Sequence, residues 1–188
     1  MIIKNFEIGK KEFDKQNFFL VYGENEGLKS EVIDNLKKKF RGFVENYDET
    51  QIINNKEMFY EKLFNKSLFE KEKIITINRC SEKIFDIIEN IIEKKISEMK
   101  IILNANILEK KSKLRNLFEK NKELVIIPTY KDTSITLVEI AKKFFYNYKI
   151  SISQETINLL VSRCNGNRGH LKSELEKITL YMDDKKKY

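Results

Sequence analysis

Residues 18–22 read Phe-Phe-Leu-Val-Tyr, an unbroken run of large apolar and aromatic side chains closed by Gly23. A run this short and uninterrupted suits a strand buried on both faces, which requires a sheet with helices packed on each side. The period then changes at once. Leu28, Val32, Leu36 and Phe40 recur every four residues with Ile33 beside them, the spacing of an amphipathic helix laid on that sheet. A buried strand turning directly into a helix confines the chain to a small set of α/β folds.

The same alternation recurs downstream. Thr50–Ile53 is expected as a short second strand, Lys73–Ile77 as a β-branched strand, Met99–Ala105 as another buried strand, and Glu123–Pro128 as the last, ended by Pro128. Between them, residues 56–65 carry Phe59, Leu63 and Phe64 on a short helix. Ser81 caps a helix on Ile84, Ile88, Ile91 and Ile92, and Leu114, Leu117 and Phe118 mark a further one. Strands alternating with helices predict a three-layer α/β domain around a mostly parallel sheet, residues 1–134. Beyond it only helices are expected. Leu137, Val138, Ala141, Phe144, Phe145 and Tyr148 define the first. The second has Ser153 as N-cap, Ile152 and Ile157 as a hydrophobic staple, and Leu160, Val161 and Cys164 on its buried face. Gly166 and Gly169 precede a third on Leu171, Leu175, Ile178 and Met182, giving a small three-helix domain over 135–188.

The strand-to-helix turn also bears on chemistry. A phosphate-cradling loop has Gly, four free residues, then Gly-Lys-Ser/Thr, so that backbone N–H groups close round phosphate while Lys and the hydroxyl serve phosphate and Mg²⁺. Gly23, Lys29 and Ser30 occupy three of the slots, but Leu28 stands where the second glycine belongs. Within the six-residue loop expected over Glu24–Lys29, Glu24 and Glu26 add carboxylates that oppose a triphosphate. The acidic metal holder expected at the end of a later buried strand is absent too: Ile-Ile-Leu-Asn-Ala-Asn ends in Asn104 and Asn106. ATP hydrolysis is not expected, and no catalytic residue, cofactor or metal is assigned.

Other constellations are sparser. Cys80 and Cys164 lie far apart with no CxxC, and the single histidine, His170, has no ligand pattern around it, which argues against structural zinc and for buried free thiols. No stretch reaches the ~18 consecutive apolar residues of a membrane span, and the first residues carry no signal-peptide run, so a cytoplasmic protein without membrane contact is expected. A hydrophobic share of 41% over 188 residues suits a folded chain, and the net charge of +7 suits nucleic acid or an acidic partner. Two basic groups are candidates for DNA or subunit contact: Lys110, Lys111, Lys113 and Arg115 at a helix start, and Arg163, Arg168 and Lys172 around the glycine-containing turn. Finally, Ser67 precedes adjacent Leu68 and Phe69, flanked by Lys66, Glu70, Lys71 and Glu72. This apolar pair at a charged corner suits either sealing the corner or plugging a partner's pocket.

Four stretches in order, Phe18–Leu36, Ser67–Cys80, Lys100–Lys120 and Ile152–Tyr181, resemble the amino-terminal part of the delta subunit of the bacterial DNA polymerase III clamp loader. The resemblance implies an AAA+-like domain with a degenerate phosphate loop, followed by a helical lid, neither hydrolysing ATP. It implies that Leu68 and Phe69, with Ser67, Lys66 and Lys71 around them, enter the pocket of the sliding clamp (the beta subunit) and help open the ring for loading onto DNA. The partners it implies are the clamp, the other loader subunits and, through the assembled complex, primer-template DNA. Any DNA-directed DNA polymerase activity, a nucleotidyltransfer, would belong to the holoenzyme. The lid arginine that such subunits often carry three residues after the glycine at Gly166 falls here on Gly169, with Arg168 just before it, and the collar domain of such subunits is expected to lie outside this chain. A divergent P-loop ATPase and a DNA-binding scaffold remain the alternatives.

Overall fold

A computed structural model describes residues 1–40, 42–64, 73–94 and 99–185. The chain divides into two units: residues 1–24 with 29–129, and residues 25–28 with 130–188.

In the first unit, five parallel strands form one sheet: β1 (Phe18–Tyr22), β2 (Phe43–Asp48), β3 (Lys73–Cys80), β4 (Met99–Ala105) and β5 (Val125–Pro128), in spatial order β2-β3-β4-β1-β5. The interior strand β1 pairs with β4 from Phe18↔Ile101 to Tyr22↔Ala105 and with β5 from Phe19↔Val125 to Tyr22↔Pro128. All five residues of β1 are buried, as expected for a strand covered on both faces. Strand alternation sorts the core. Leu20, Ile75, Ile77, Ile101, Leu103 and Ile126 join one cluster with Ile52, Phe59, Ile88, Leu114 and Phe118, which come from α2 (Glu49–Asn54), α3 (Lys56–Phe64), α4 (Phe85–Glu93) and α5 (Lys113–Lys120). On the other face, the ring of Phe19 meets those of Phe13 and Phe40, the latter just beyond α1 (Glu26–Lys39). The unit is therefore a three-layer α/β structure.

One expectation is corrected. Thr50–Ile53 is not a strand but part of α2, whose Ile52 is buried, and the second strand is the preceding Phe43–Asp48. The Asp48 N–H donates to Gln51 Oε1 at 3.0 Å, which starts the helix at Glu49 and reserves the Thr-Gln-Ile-Ile stretch for it. β2 is an edge strand with no fully buried residue, so it lacks the apolar run that reveals its neighbours.

The second unit contains α6 (Ser134–Asn147), α7 (Gln154–Arg163) and α8 (Arg168–Lys185). Leu137, Ala141, Phe145, Ile157, Val161, Cys164, Leu171 and Leu175 form its core, with Ile152 packed against it. Thr133 and Ser153 cap α6 and α7 by accepting from the N–H groups of Thr136 and Thr156. Asn165 and Gly166, both at positive φ, bridge α7 and α8. Among the described residues no helix is long and apolar enough to cross a membrane.

Candidate functional site

The turn between β1 and α1 is shorter than the phosphate-loop spacing suggests. The helix already begins at Glu26, so Glu26–Lys29 form its first turn and only Gly23, Glu24 and Asn25 connect it to β1. Gly23 is at φ +141, and a Cβ there would overlap the carbonyl oxygen of Thr129, whose own N–H and hydroxyl donate to the Tyr22 carbonyl at 2.8 and 2.9 Å. Glycine is needed here because the end of β5 closes onto the backbone.

The helix N-terminus is closed by the chain's own side chains. Buried Asn25 is the N-cap: its Oδ1 accepts the Leu28 N–H at 3.1 Å, and its Nδ2 donates to the Tyr130 carbonyl at 3.0 Å and Asp132 Oδ2 at 2.9 Å. A free first turn presents N–H groups to an anion. In this protein, the Leu28 donor is taken. Leu28 itself is buried, and Lys29, only 2% exposed, sends its Nζ to the Ala105 carbonyl at the carboxyl end of β4, 3.1 Å away. Ser30 is exposed.

Asp132 binds a second partner. Arg168, the first residue of α8, donates from Nε to Oδ2 at 2.9 Å and from its terminal nitrogen to Oδ1 at 2.6 Å, with side-chain exposures of 12% for the arginine and 5% for the aspartate. This fork on a carboxylate is the strongest geometry available to a guanidinium. Gly27 and Gly169 meet beside it: a Cβ on Gly27 would lie 2.5 Å from the Gly169 nitrogen. Neither Asn25 nor Asp132 stood out in the sequence, where the Asn-Glu-Gly-Leu spacing of an N-cap was the only available signal.

At the carboxyl ends of the other strands, amides and ion pairs occupy the polar positions. Asn104 Nδ2 donates to Asn78 Oδ1 at 3.2 Å, Arg79 pairs with Asp48, and buried Glu49 accepts the Ser81 N–H at 2.7 Å and its hydroxyl. Arg79 is at φ +58, where a register shift between Ile77 and Cys80 breaks the β3–β4 ladder. Among the described residues no group of three or more His, Cys, Asp or Glu could hold a metal. Both cysteines are buried and free, and burial pushes both thiols above the usual range.

The basic candidates separate by environment. Lys110, Lys111 and Lys113 are exposed, with Lys111 Nζ 3.0 Å from Glu109. Arg115 instead lies inward, bonded to Glu119 at 2.8 Å and the Leu108 carbonyl at 3.1 Å, with its guanidinium 5.2 Å from the centre of the Tyr22 ring. Arg163 and Lys172 are exposed, the latter 3.9 Å from Glu176, whereas Arg168 is committed to Asp132. Lys66, Ser67, Leu68, Phe69 and Lys71 lie outside the described residues.

Neither a family model nor a curated protein matches this sequence. Solved structures do. The Bacillus subtilis DNA clamp loader delta protein aligns at TM-score 0.61 and 12% identity, over 96% of this chain and 58% of that one. Domain III of the Thermotoga maritima replication initiation protein DnaA aligns at 0.55 and 13%, over 97% and 83%. The Thermotoga maritima RuvB Holliday junction branch migration motor aligns at 0.57 and 13%, over 91% and 56%. The chain thus spans little more than half the length of the clamp-loader protein, and identities this low speak for the fold alone. The fold is an AAA+-like architecture: a three-layer α/β unit with a parallel sheet and a carboxyl-terminal helical unit.

Proposed function

We propose that this chain is a non-hydrolysing AAA+-like module of a clamp loader, of the delta type, which binds the sliding clamp and helps open it for loading onto DNA. The observation that carries the silent half of this reading is the self-occupied start of α1: Asn25 takes the Leu28 N–H and Lys29 is bound to the Ala105 carbonyl. A triphosphate would have to displace both contacts. The clamp-binding half rests on the sequence resemblance and on a fold shared with a clamp loader delta protein. In this reading Leu68 and Phe69 enter the clamp's pocket with Lys66, Ser67 and Lys71 at its rim. The domains are an AAA+-like part over 1–134 and a lid over 135–188, and neighbouring loader subunits supply the ATP-driven motion. DNA is met through the assembled complex. A DNA scaffold acting by itself is less favoured, since Arg115 and Arg168 are spent on internal carboxylates.

Two measurements test the proposal. Clamp binding by surface plasmon resonance should weaken by about tenfold or more for Leu68→Ala/Phe69→Ala, as for loss of an apolar hot spot; an unchanged affinity overturns the clamp role. Calorimetric titration with ATP should show no Lys29-dependent binding. Affinity that Lys29→Ala abolishes would favour the divergent ATPase.

A further inference from the structure

On the outer surface of the first unit, α4 and α5 border an open groove of about 720 Å³. Its floor is Phe85 and Leu117, half-buried side chains resting on the core beneath. Three exposed lysines surround it, Lys113 and Lys120 on α5 and Lys122 just beyond, faced by the single carboxylate of Glu89. Among the described residues neither Lys120 nor Lys122 has an ion-pair partner.

We propose that this groove docks an acidic amphipathic peptide segment of a partner protein. The two requirements come from the two halves of the site. An apolar floor left half-covered is stabilised by an aliphatic or aromatic side chain laid over it, because that contact removes apolar surface from water. The unpaired lysines at the rim call for carboxylates flanking that side chain, which add steering and orientation. A groove of this size lies within the ~300–1,000 Å³ typical of ligand sites, but its openness suits a chain segment rather than an enclosed small molecule. Single-stranded nucleic acid fits less well. It needs successive aromatic platforms, whereas the groove has one ring, Phe85, with the Lys113 ammonium 5.9 Å from its centre, and places Glu89 against a phosphate backbone.

The test is panning of a displayed library of 15-residue peptides on the full chain, with counter-selection on the Lys120→Glu/Lys122→Glu variant. Both positions are exposed, so the variant should keep the wild-type melting temperature. Enriched peptides should combine Asp or Glu with Leu, Ile or Phe. A dye-labelled enriched peptide should bind the variant about tenfold or more weakly, and lose as much again when its apolar residues become Ser. Three results would each overturn the proposal: no enrichment that depends on the two lysines, equal binding by polyglutamate of the same charge, or tighter binding of a labelled oligo(dT) strand that competes for the groove.

Discussion

Asn25 makes three hydrogen bonds from one buried side chain: it caps α1 through the Leu28 N–H and ties the cap to the Tyr130 carbonyl and Asp132. Replacement by alanine removes the partner of the Leu28 N–H and of the Tyr130 carbonyl. Loss of an N-cap costs about 1–2 kcal/mol, so Asn25→Ala should lower the urea midpoint without changing the slope of the transition. A midpoint equal to wild type would show that solvent replaces the cap at no cost. Lys29 illustrates the same point from the other side. Its identity and place fit a phosphate-binding lysine, yet its long side chain is spent on the Ala105 carbonyl, which the sequence places 76 residues away.

At the scale of elements, the contact between Gly27 on α1 and Gly169 on α8 opposes the intrinsic preferences of helices. Alanine in a helix interior is favoured over glycine by about 1 kcal/mol, so Gly27→Ala should stabilise an isolated helix. In this protein the added Cβ would come within 2.5 Å of the Gly169 nitrogen, a backbone atom that cannot swing aside. We expect Gly27→Ala to be destabilising in thermal unfolding, with stabilisation as the outcome that rejects the close approach. The β2–β3 pairing supplies a pH-dependent prediction. Burial alone would raise the Glu45 carboxyl, but the Lys73 ammonium at 2.7 Å and the Tyr47 hydroxyl outweigh it and hold it below the ordinary range; burial, reinforced by Glu45, lifts Tyr47 to about 12. A lowered folded value stabilises above the unfolded value of about 4.3, and that contribution is lost as pH falls through the folded value. Glu45→Gln should therefore flatten the acid side of a urea-midpoint profile between about pH 5 and 3.

For the molecule as a whole, each unit carries one buried thiol: Cys80 in the sheet core and Cys164 among the three helices. Raised by burial, neither should alkylate at neutral pH while its unit is folded. Among the described residues the helical core holds eight buried side chains against twenty-two in the sheet cluster that contains Cys80. Smaller cores are the less stable ones. Iodoacetamide labelling across a urea series should thus modify Cys164 at lower urea than Cys80, and the reverse order would show that the helices outlast the sheet.

The local physics of the chain determined the covered strands and the helix starts. Phe18–Tyr22 and Met99–Ala105 carry apolar runs that only a doubly covered sheet accommodates, and Ser153 sits where a cap must be. The edge strand Phe43–Asp48 escaped because half-exposed positions need no apolar pattern, and Thr50–Ile53 misled because isoleucines suit a strand and a buried helix face alike. Only tertiary structure decided which partners the polar groups take. Asn25 meets Asp132 across 107 positions and Arg168 meets it across 36. Propensity and periodicity act over a few neighbours, whereas a hydrogen bond or ion pair is chosen only once the folded backbone has brought its donor and acceptor within reach.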